Sequence, residues 1–251
     1  MPLYESPAII IRGIRLNESD RIITLFTRDY GKIKAVAKGC LKPKSRLMGR
    51  LEPFLHTRAI FFGKEKAELF YLNTSDIIET FTGMRDDYEK LMRAFAAAEL
   101  VDVCQKEKDA NRDGFNMLLV LLRKLSASAM PADKLDMLLR LFEFKYLSSI
   151  GFMPSMGACA VCGGAIAGPR CGFNPSRGAV CGSCLHKSGA QTINASPGAI
   201  KLLERSLSTP MERLERISSG TSLLNDVERM VRAMIDTHTR KRMKSERFLK
   251  L

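Results

Sequence analysis

The chain has 251 residues, and its 40 Lys and Arg against 27 Asp and Glu give a formal net charge of +13. With 45% apolar and 27% charged residues, the composition is that of a folded globular protein and excludes a disordered or fibrous one. At about 100 to 200 residues per domain, the length allows one or two domains. The positive charge favours a polyanionic partner, either nucleic acid or an acidic protein segment, over an anionic membrane surface.

No segment of the sequence is predicted to cross or anchor in a membrane. The longest apolar runs, such as Ala8 to Ile11 and Met117 to Leu122, are far shorter than the roughly 20 residues that a membrane helix needs. The first residues lack a basic segment followed by an apolar core, so no secretory signal is predicted. We therefore expect a cytoplasmic protein, whose seven cysteines are thiols or metal ligands because the cytosol reduces ordinary disulfides.

Residues 1 to 80 are predicted to form a small barrel of five short strands. The segments are rich in Ile, Thr, Phe and Tyr, and they follow one another too closely for crossover helices. An antiparallel Greek-key or OB-type barrel is therefore favoured over a parallel sheet, with an SH3-like barrel as the main alternative. The predicted strands are Ala8 to Ile14, Arg21 to Thr27, Lys32 to Lys38, Phe54 to Phe62 and Glu68 to Leu72.

The densest basic stretch of this domain runs from Arg28 to Arg58, with nine basic and two acidic residues. Side chains alternate along a strand, so the even positions from residue 30 to 38 would share one face, made of lysines and an aromatic ring. A flexible basic loop that can follow a phosphate backbone comes next. A solvated edge that lysines protect from aggregation is the alternative. The predicted DNA-binding residues are Tyr30, Lys32, Lys34, Lys38, Lys42, Lys44, Arg46 and Arg50.

From about residue 84 the apolar spacing changes to that of helices. One predicted helix face consists of Leu135, Leu138, Leu139, Phe142 and Tyr146. Further helices are predicted at Met84 to Gln105, Asn116 to Leu125, Pro197 to Leu207 and around Leu223 to Met234. A Gly-rich insertion at about residues 151–194 interrupts them. We therefore predict a two-domain α+β protein with a barrel at residues 1–80 and a helical domain at residues 81–251 that carries this insertion.

The insertion contains the strongest local motif, C-x2-C-x18-C-x2-C. Two residues between paired cysteines allow a tight turn to bring both sulfurs to about 2.3 Å from one metal ion, and Gly163 and Gly182 suit such turns. Four thiolates complete a tetrahedron and leave no position for water, so a structural Zn²⁺ is predicted. The predicted ligands are Cys159, Cys162, Cys181 and Cys184.

Other readings of these cysteines remain open. Two disulfides in an exported protein would fit the count, and a redox pair would fit the spacing. Cys171 and His186 lie close enough in sequence to replace one ligand.

A second basic region lies at the C-terminal end. Residues 159–251 contain 15 basic and 7 acidic residues, whereas residues 81–158 contain 11 of each. This region would attract DNA or an acidic, partly apolar peptide, and a frayed solubilising tail is the alternative. The candidate contact residues are Arg240, Lys241, Arg242, Lys244 and Arg247.

Short motifs along most of the chain match one bacterial family. In the first domain they are Asn17-Glu18-Ser19-Asp20, Ile23-Thr24-Leu25-Phe26-Thr27, Gly31-Lys32, Ala35-Val36-Ala37-Lys38-Gly39, Pro43-Lys44-Ser45-Arg46 and Leu51-Glu52-Pro53-Phe54. In the second they are Phe142-Glu143-Phe144-Lys145-Tyr146-Leu147, Gly151-Phe152-Met153-Pro154, the cysteine pairs and Lys244-Ser245-Glu246-Arg247. Together these motifs resemble the RecO family of recombination mediators.

The resemblance implies an OB-fold domain that binds single- and double-stranded DNA and a helical domain that carries zinc in members with the cysteines. It also implies a non-enzymatic mediator that anneals complementary strands and helps to load the RecA recombinase on DNA coated with single-stranded DNA-binding protein (SSB). The implied partners are the RecR protein and the C-terminal tail of SSB, for which the second basic region is the candidate surface. During repair such a protein would associate with the nucleoid.

Two other classes of function are weighed against this one. A general zinc-ribbon adaptor that binds nucleic acid would use the same cysteines. A zinc hydrolase or deaminase needs an open coordination position, and the sequence, with only three His, has no H-x-E or HExxH motif. A G-x4-GK[ST] phosphate loop is also missing, so ATPase activity is not expected.

Overall fold

The computed structural model describes residues 1–127, 129–217, 220–239, 243–245 and 248–249. Contacts divide the chain into two compact units, Met1–Ser128 and Ala129–Leu251. The first unit contains five strands followed by three helices, and the second contains helices and a small sheet. The mixed α+β organisation is therefore confirmed. The domain boundary predicted near residue 80 marks the change from strands to helices, while the unit with the strands also includes the first three helices.

The five strands of the first unit form a closed barrel in the order β1-β2-β3-β5-β4. The β1–β4 pair closes this barrel, and β3 and β5 are its parallel neighbours. This is the OB-type barrel that the sequence predicts. The strands are β1 (Leu3–Arg15), β2 (Arg21–Thr27), β3 (Gly31–Ala37), β4 (His56–Phe62) and β5 (Phe70–Glu79).

Strand β1 begins earlier than predicted because it has two partners. Its first half, from Leu3, pairs with β4, and its second half, to Arg15, pairs with β2. A strand that bridges two neighbours needs more residues than one hairpin arm. The sequence pattern around Pro7 does not indicate that β1 extends back to Leu3.

The barrel core is apolar and includes part of the long β3–β4 connection. Ile23 and Leu25 of β2 and Ile33 of β3 are buried in this core. Leu47 and Leu51 of the connection are buried in the same core. These two anchors fix the loop against the barrel while its intervening side chains face solvent.

Three helices follow the barrel within the first unit: α1 (Thr82–Arg85), α2 (Tyr88–Cys104) and α3 (Arg112–Ala127). The single helix predicted from residue 84 to 105 is divided because Asp87 caps α2, accepting a hydrogen bond from the Lys90 N–H at 3.2 Å. Phe115 of α3 packs against Phe26 of β2, with ring centroids 5.9 Å apart. This contact joins the helices to the barrel.

The second unit contains α4 (Ala132–Ser149), α5 (Pro197–Ser208) and α6 (Thr221–His238). The predicted apolar face of α4 is buried in full. Between α4 and α5 lies a three-stranded sheet, ordered β7-β6-β8, with β6 at Cys171–Asn174, β7 at Gly178–Cys181 and β8 at Ile193–Ala195. Short 3-10 helices occupy Gly182–Lys187 and Met211–Arg216. Among the described residues no helix combines the length and the apolar character needed to cross a membrane.

Candidate metal centre and nucleic-acid interface

The four predicted cysteines meet at one point of the second unit. Cys159 and Cys162 lie in a turn before β6, Cys181 ends β7, and Cys184 lies in the following 3-10 helix. All four Sγ atoms lie within 4.8 Å of one another, and those of Cys162 and Cys181 are 3.8 Å apart. Sulfurs bound at about 2.3 Å to one tetrahedral ion would be about 3.8 Å apart. The spacing therefore fits a Zn²⁺ ion.

The turn that holds the first cysteine pair is tight, as the two-residue spacing predicts. The Cys159 N–H donates to the Gly164 carbonyl and the Gly163 N–H donates to the Cys159 carbonyl, both at 2.8 Å. Gly163 has φ of +72°, a left-handed conformation in which a side chain would be strained. The backbone thus directs both thiols to the same side.

The electrostatics of the cluster favour a bound cation. Burial raises the pKa of the Cys159 thiol, but the Cys181 N–H, 3.3 Å from its Sγ, and the amides of the turn outweigh burial and lower that pKa to about 6. Contacts with the thiols of Cys181 and Cys162 instead raise the pKa of Cys184 to about 12. Four thiolates this close repel one another unless a positive ion lies between them.

The two alternative ligands lie outside this group. Cys171 is buried and its Sγ donates to the Ala195 carbonyl at 2.9 Å, and His186 is exposed. Among the described residues, the group with metal-binding geometry consists of the four predicted cysteines.

The loop after β3 presents an exposed basic surface, which we call the basic loop surface: Lys38, Lys42, Lys44, Arg46 and Arg50. The ammonium of Lys38 lies 4.8 Å from the ring centre of Tyr71, and Arg50 Nη1 lies 2.7 Å from Asp76 Oδ1. In the part of the chain that the structure describes, no carboxylate pairs with the other three cations. Their charges are therefore available to phosphates.

Lys32 and Lys34 occupy a different environment from the one that the alternation of β3 suggests. Lys32 is only 7% exposed; its ammonium donates to the Asp102 carbonyl oxygen and lies 3.6 Å from the Asp102 carboxylate. Lys34 Nζ lies 2.5 Å from Glu107 Oε1. Asp102, near the end of α2, therefore covers Lys32, and Glu107 of the following loop pairs with Lys34, while Lys38 stays exposed. Both lysines join β3 to the segment at and after the end of α2.

Tyr30 is 36% exposed and borders an aromatic cluster that the sequence prediction missed. Its ring centroid lies 5.3 Å from that of Tyr4 and 5.7 Å from that of Phe61. The predicted strands contain Phe61 and Phe70, but the sequence analysis did not bring these two rings together with Tyr30. The closure of the sheet decides which aromatic rings lie at an open end of the barrel, and a local sequence pattern does not specify that closure.

The C-terminal candidates are only partly described. Lys244 is exposed, whereas Arg240, Lys241, Arg242 and Arg247 lie outside the described residues. A basic cleft of about 610 Å³ that the sequence did not single out lies between α5 and the following 3-10 helix. Its cations are Lys201, Arg205, Arg213 and Arg216, and its apolar lining includes Leu202, Pro210 and Ile217.

Comparison with known proteins gives matches along the whole chain. A family model described as "Recombination protein O N terminal" matches residues 1–81, and one described as "Recombination protein O C terminal" matches residues 85–247. A relative from Pelotomaculum thermopropionicum, named DNA repair protein RecO, is 33% identical over 99% of this chain and 94% of its own length. A relative of the same name from Symbiobacterium thermophilum is 32% identical over 99% of this chain and 97% of its own.

Proposed function

Because this chain belongs to the RecO family of DNA repair proteins, we propose that it is a non-enzymatic recombination mediator that binds single- and double-stranded DNA and anneals complementary strands. The observation that carries the proposal is the basic loop surface, fixed to an OB-type barrel by Leu47 and Leu51. Its cations Lys42, Lys44 and Arg46 have no carboxylate partner among the described residues. Such cations suit a phosphate backbone, which is read by charge and not by sequence.

The binding part of the proposal gives a quantitative expectation. Replacing Lys42, Lys44 and Arg46 together with glutamine removes three phosphate contacts. The slope of log K against log salt for single-stranded DNA should then flatten by about 0.7 per lost contact, with little dependence on DNA sequence. Fluorescence anisotropy titrations at several salt concentrations measure this slope.

The matched control is the triple glutamine variant of Lys64, Lys106 and Lys134, exposed lysines outside the basic loop surface and outside the basic cleft. An unchanged slope in the Lys42, Lys44 and Arg46 variant, or an equal change in the control, would reject the basic loop surface as the DNA contact.

In the proposed function the four thiolates hold a structural Zn²⁺. Cys159, Cys181 and Cys184 are buried, and Cys162 is exposed at the rim. A closed set of four thiolates supplies folding free energy and no activated water. The metal would therefore fix the sheet between α4 and α5, and catalysis would have no part in the function.

The proposal also includes protein partners: RecR, the C-terminal tail of SSB, and RecA as the recombinase loaded on SSB-coated DNA. The basic cleft beside α5 supports the second of these partners, because cations around an apolar floor suit an acidic peptide with an apolar side chain. The basic residues predicted at positions 240 to 247 would add long-range attraction. The proposed site of action is the cytoplasm, at the nucleoid.

The test of the function is strand annealing without nucleotide. Complementary strands, each coated with SSB, are mixed with the full-length protein, and duplex formation is followed by the quenching of a fluorophore pair. We expect pairing at least about tenfold faster than with SSB alone, because a surface that neutralises phosphates lowers the repulsion between strands. A zinc-ribbon adaptor would bind the strands without accelerating their pairing. Unchanged pairing at a protein concentration that saturates DNA would reject the mediator proposal.

A further inference from the structure

An aromatic pocket lies at one end of the barrel, outside the basic loop surface. Tyr4 and Phe61 are stacked with ring centroids 5.4 Å apart, and Phe70 meets both rings edge-on at 5.7 and 5.3 Å. Tyr30 forms the exposed wall. The cavity measures about 640 Å³, which is large enough for a planar ring of the size of a nucleobase.

The rim of this pocket carries two lysines on separate loops. Lys66 is exposed and has no ion-pair partner among the residues that the structure describes. The ammonium of Lys108 lies 5.6 Å from the ring centre of Phe70. Together they place two positive charges beside an aromatic surface.

The position of Lys108 is built into the fold. Its backbone has φ of +58°, a left-handed conformation that costs a non-glycine residue energy unless the surroundings enforce it. The Lys108 N–H donates to the Lys32 carbonyl at 2.9 Å, and its ammonium donates to the Glu65 carbonyl at 3.4 Å. At Gly31 a Cβ atom would lie 2.1 Å from the Asp109 carbonyl oxygen, so the α2–α3 loop can approach β3 only because this residue is glycine.

Two carboxylates complete the rim. Asp29 accepts from Ser6 Oγ at 2.9 Å and pairs with Arg112 Nη2 at 2.9 Å, so its charge is largely compensated. Glu65 is exposed. A run of carboxylates in an acidic peptide would meet repulsion here, whereas the amino groups of a base can donate to these oxygens.

We propose that this pocket binds one unstacked nucleobase of single-stranded DNA, stacked on Tyr30, with the adjoining phosphate at Lys66 and Lys108. The proposal rests on the proposed DNA-binding function and adds a means of distinguishing single-stranded from double-stranded DNA. A base inside a duplex is stacked and paired and cannot enter a pocket without being extruded, whereas bases of a single strand are free to stack on an aromatic side chain. The basic loop surface would contact both forms, and the pocket would favour single strands.

The test compares two Tyr30 variants on two DNA forms. The probes are an oligo-dT strand with one central 2-aminopurine and a blunt duplex closed at both ends by linked hairpin loops. Tyr30→Ala should weaken binding of the strand by about tenfold, the usual effect of losing one stacked base, and should abolish the quenching of 2-aminopurine. Its affinity for the duplex should not change. Tyr30→Phe, which keeps the ring, should match the wild type on both probes.

Matched controls separate the pocket from general effects. Tyr88→Ala is the control for Tyr30→Ala, because it removes another exposed tyrosine of the same unit. Lys64→Gln is the control for Lys66→Gln, because Lys64 is an exposed lysine outside the pocket. Both controls should leave single-strand binding at the wild-type value.

Several outcomes would overturn the inference. Equal weakening on strand and duplex, or no weakening of strand binding in Tyr30→Ala, would show that the pocket holds no base. A third outcome is that a peptide of several aspartates ending in phenylalanine displaces the strand from the wild type but not from Tyr30→Ala. That result would assign the pocket to an acidic peptide. If the wild type binds neither probe, the proposed function itself fails; if it binds and Tyr30→Ala behaves the same, only the pocket is rejected.

Discussion

Replacing Cys162 with serine is expected to remove bound zinc and to unfold the segment between α4 and α5. The apolar cluster of this segment consists of Cys159, Val180, Cys181 and Cys184, with Ile166 and Leu185 packed against it. The candidate ligands are three of the four buried members of this cluster, so its packing around Val180 depends on the metal. Structural zinc contributes apparent binding free energies of about 10 to 16 kcal/mol in small zinc peptides, and that free energy is folding free energy.

The measurement is metal content per chain after purification under reducing conditions, with limited proteolysis between residues 157 and 190. The wild type should hold one zinc and resist cleavage, and Cys162→Ser should hold far less and be cut in this segment. Cys171→Ser is the matched control, because that thiol lies in the same small sheet but bonds to the Ala195 carbonyl. Wild-type protein without metal, or equal metal loss in both variants, would contradict the four-thiolate site.

Replacing Arg140 with methionine is expected to lower the free energy of unfolding of the second unit by about 3 to 5 kcal/mol, the usual cost of removing one partner from a buried ion pair. Arg140 Nη1 lies 2.8 Å from Glu143 Oε2, and the two side chains are only 3% and 1% exposed. Arg140 Nη2 also reaches Glu228 Oε1 at 3.4 Å. Without the guanidinium, the buried Glu143 carboxylate loses a charge partner 2.8 Å away, and an uncompensated buried charge is costly.

Urea unfolding followed by circular dichroism gives this free energy. Arg229→Ala is the control: it removes an exposed arginine paired with Asp226 on the same unit, and such exposed pairs contribute about 0 to 1 kcal/mol. The double change Arg140→Met with Glu143→Leu should recover most of the loss, because it removes the buried carboxylate as well. If Arg140→Met is no less stable than Arg229→Ala, the Arg140–Glu143 pair contributes little to the free energy of unfolding.

Features that depend on short stretches of chain were predictable from the sequence. The alternation of β3 places Ile33 opposite the lysines, and Ile33 is buried in the barrel core. The helical spacing of α4 identifies its buried face. The two-residue spacing of each cysteine pair identifies the turn that directs two thiols to one point. In each case neighbouring residues impose the geometry, so periodicity and spacing are sufficient.

Features that depend on contacts between distant residues were decided by the tertiary structure. The alternation of β3 placed Lys32 on an outer face, but Asp102, 70 positions further along the chain, covers and binds it. The same packing brings Lys108 to the rim of the aromatic pocket, and closure of the barrel brings Tyr4 beside Phe61. The sequence by itself therefore determined the barrel strands, the helices and the cluster of four cysteines, which local geometry specifies. Which charges stay exposed to a partner was decided by long-range packing, because burial depends on what the distant chain covers.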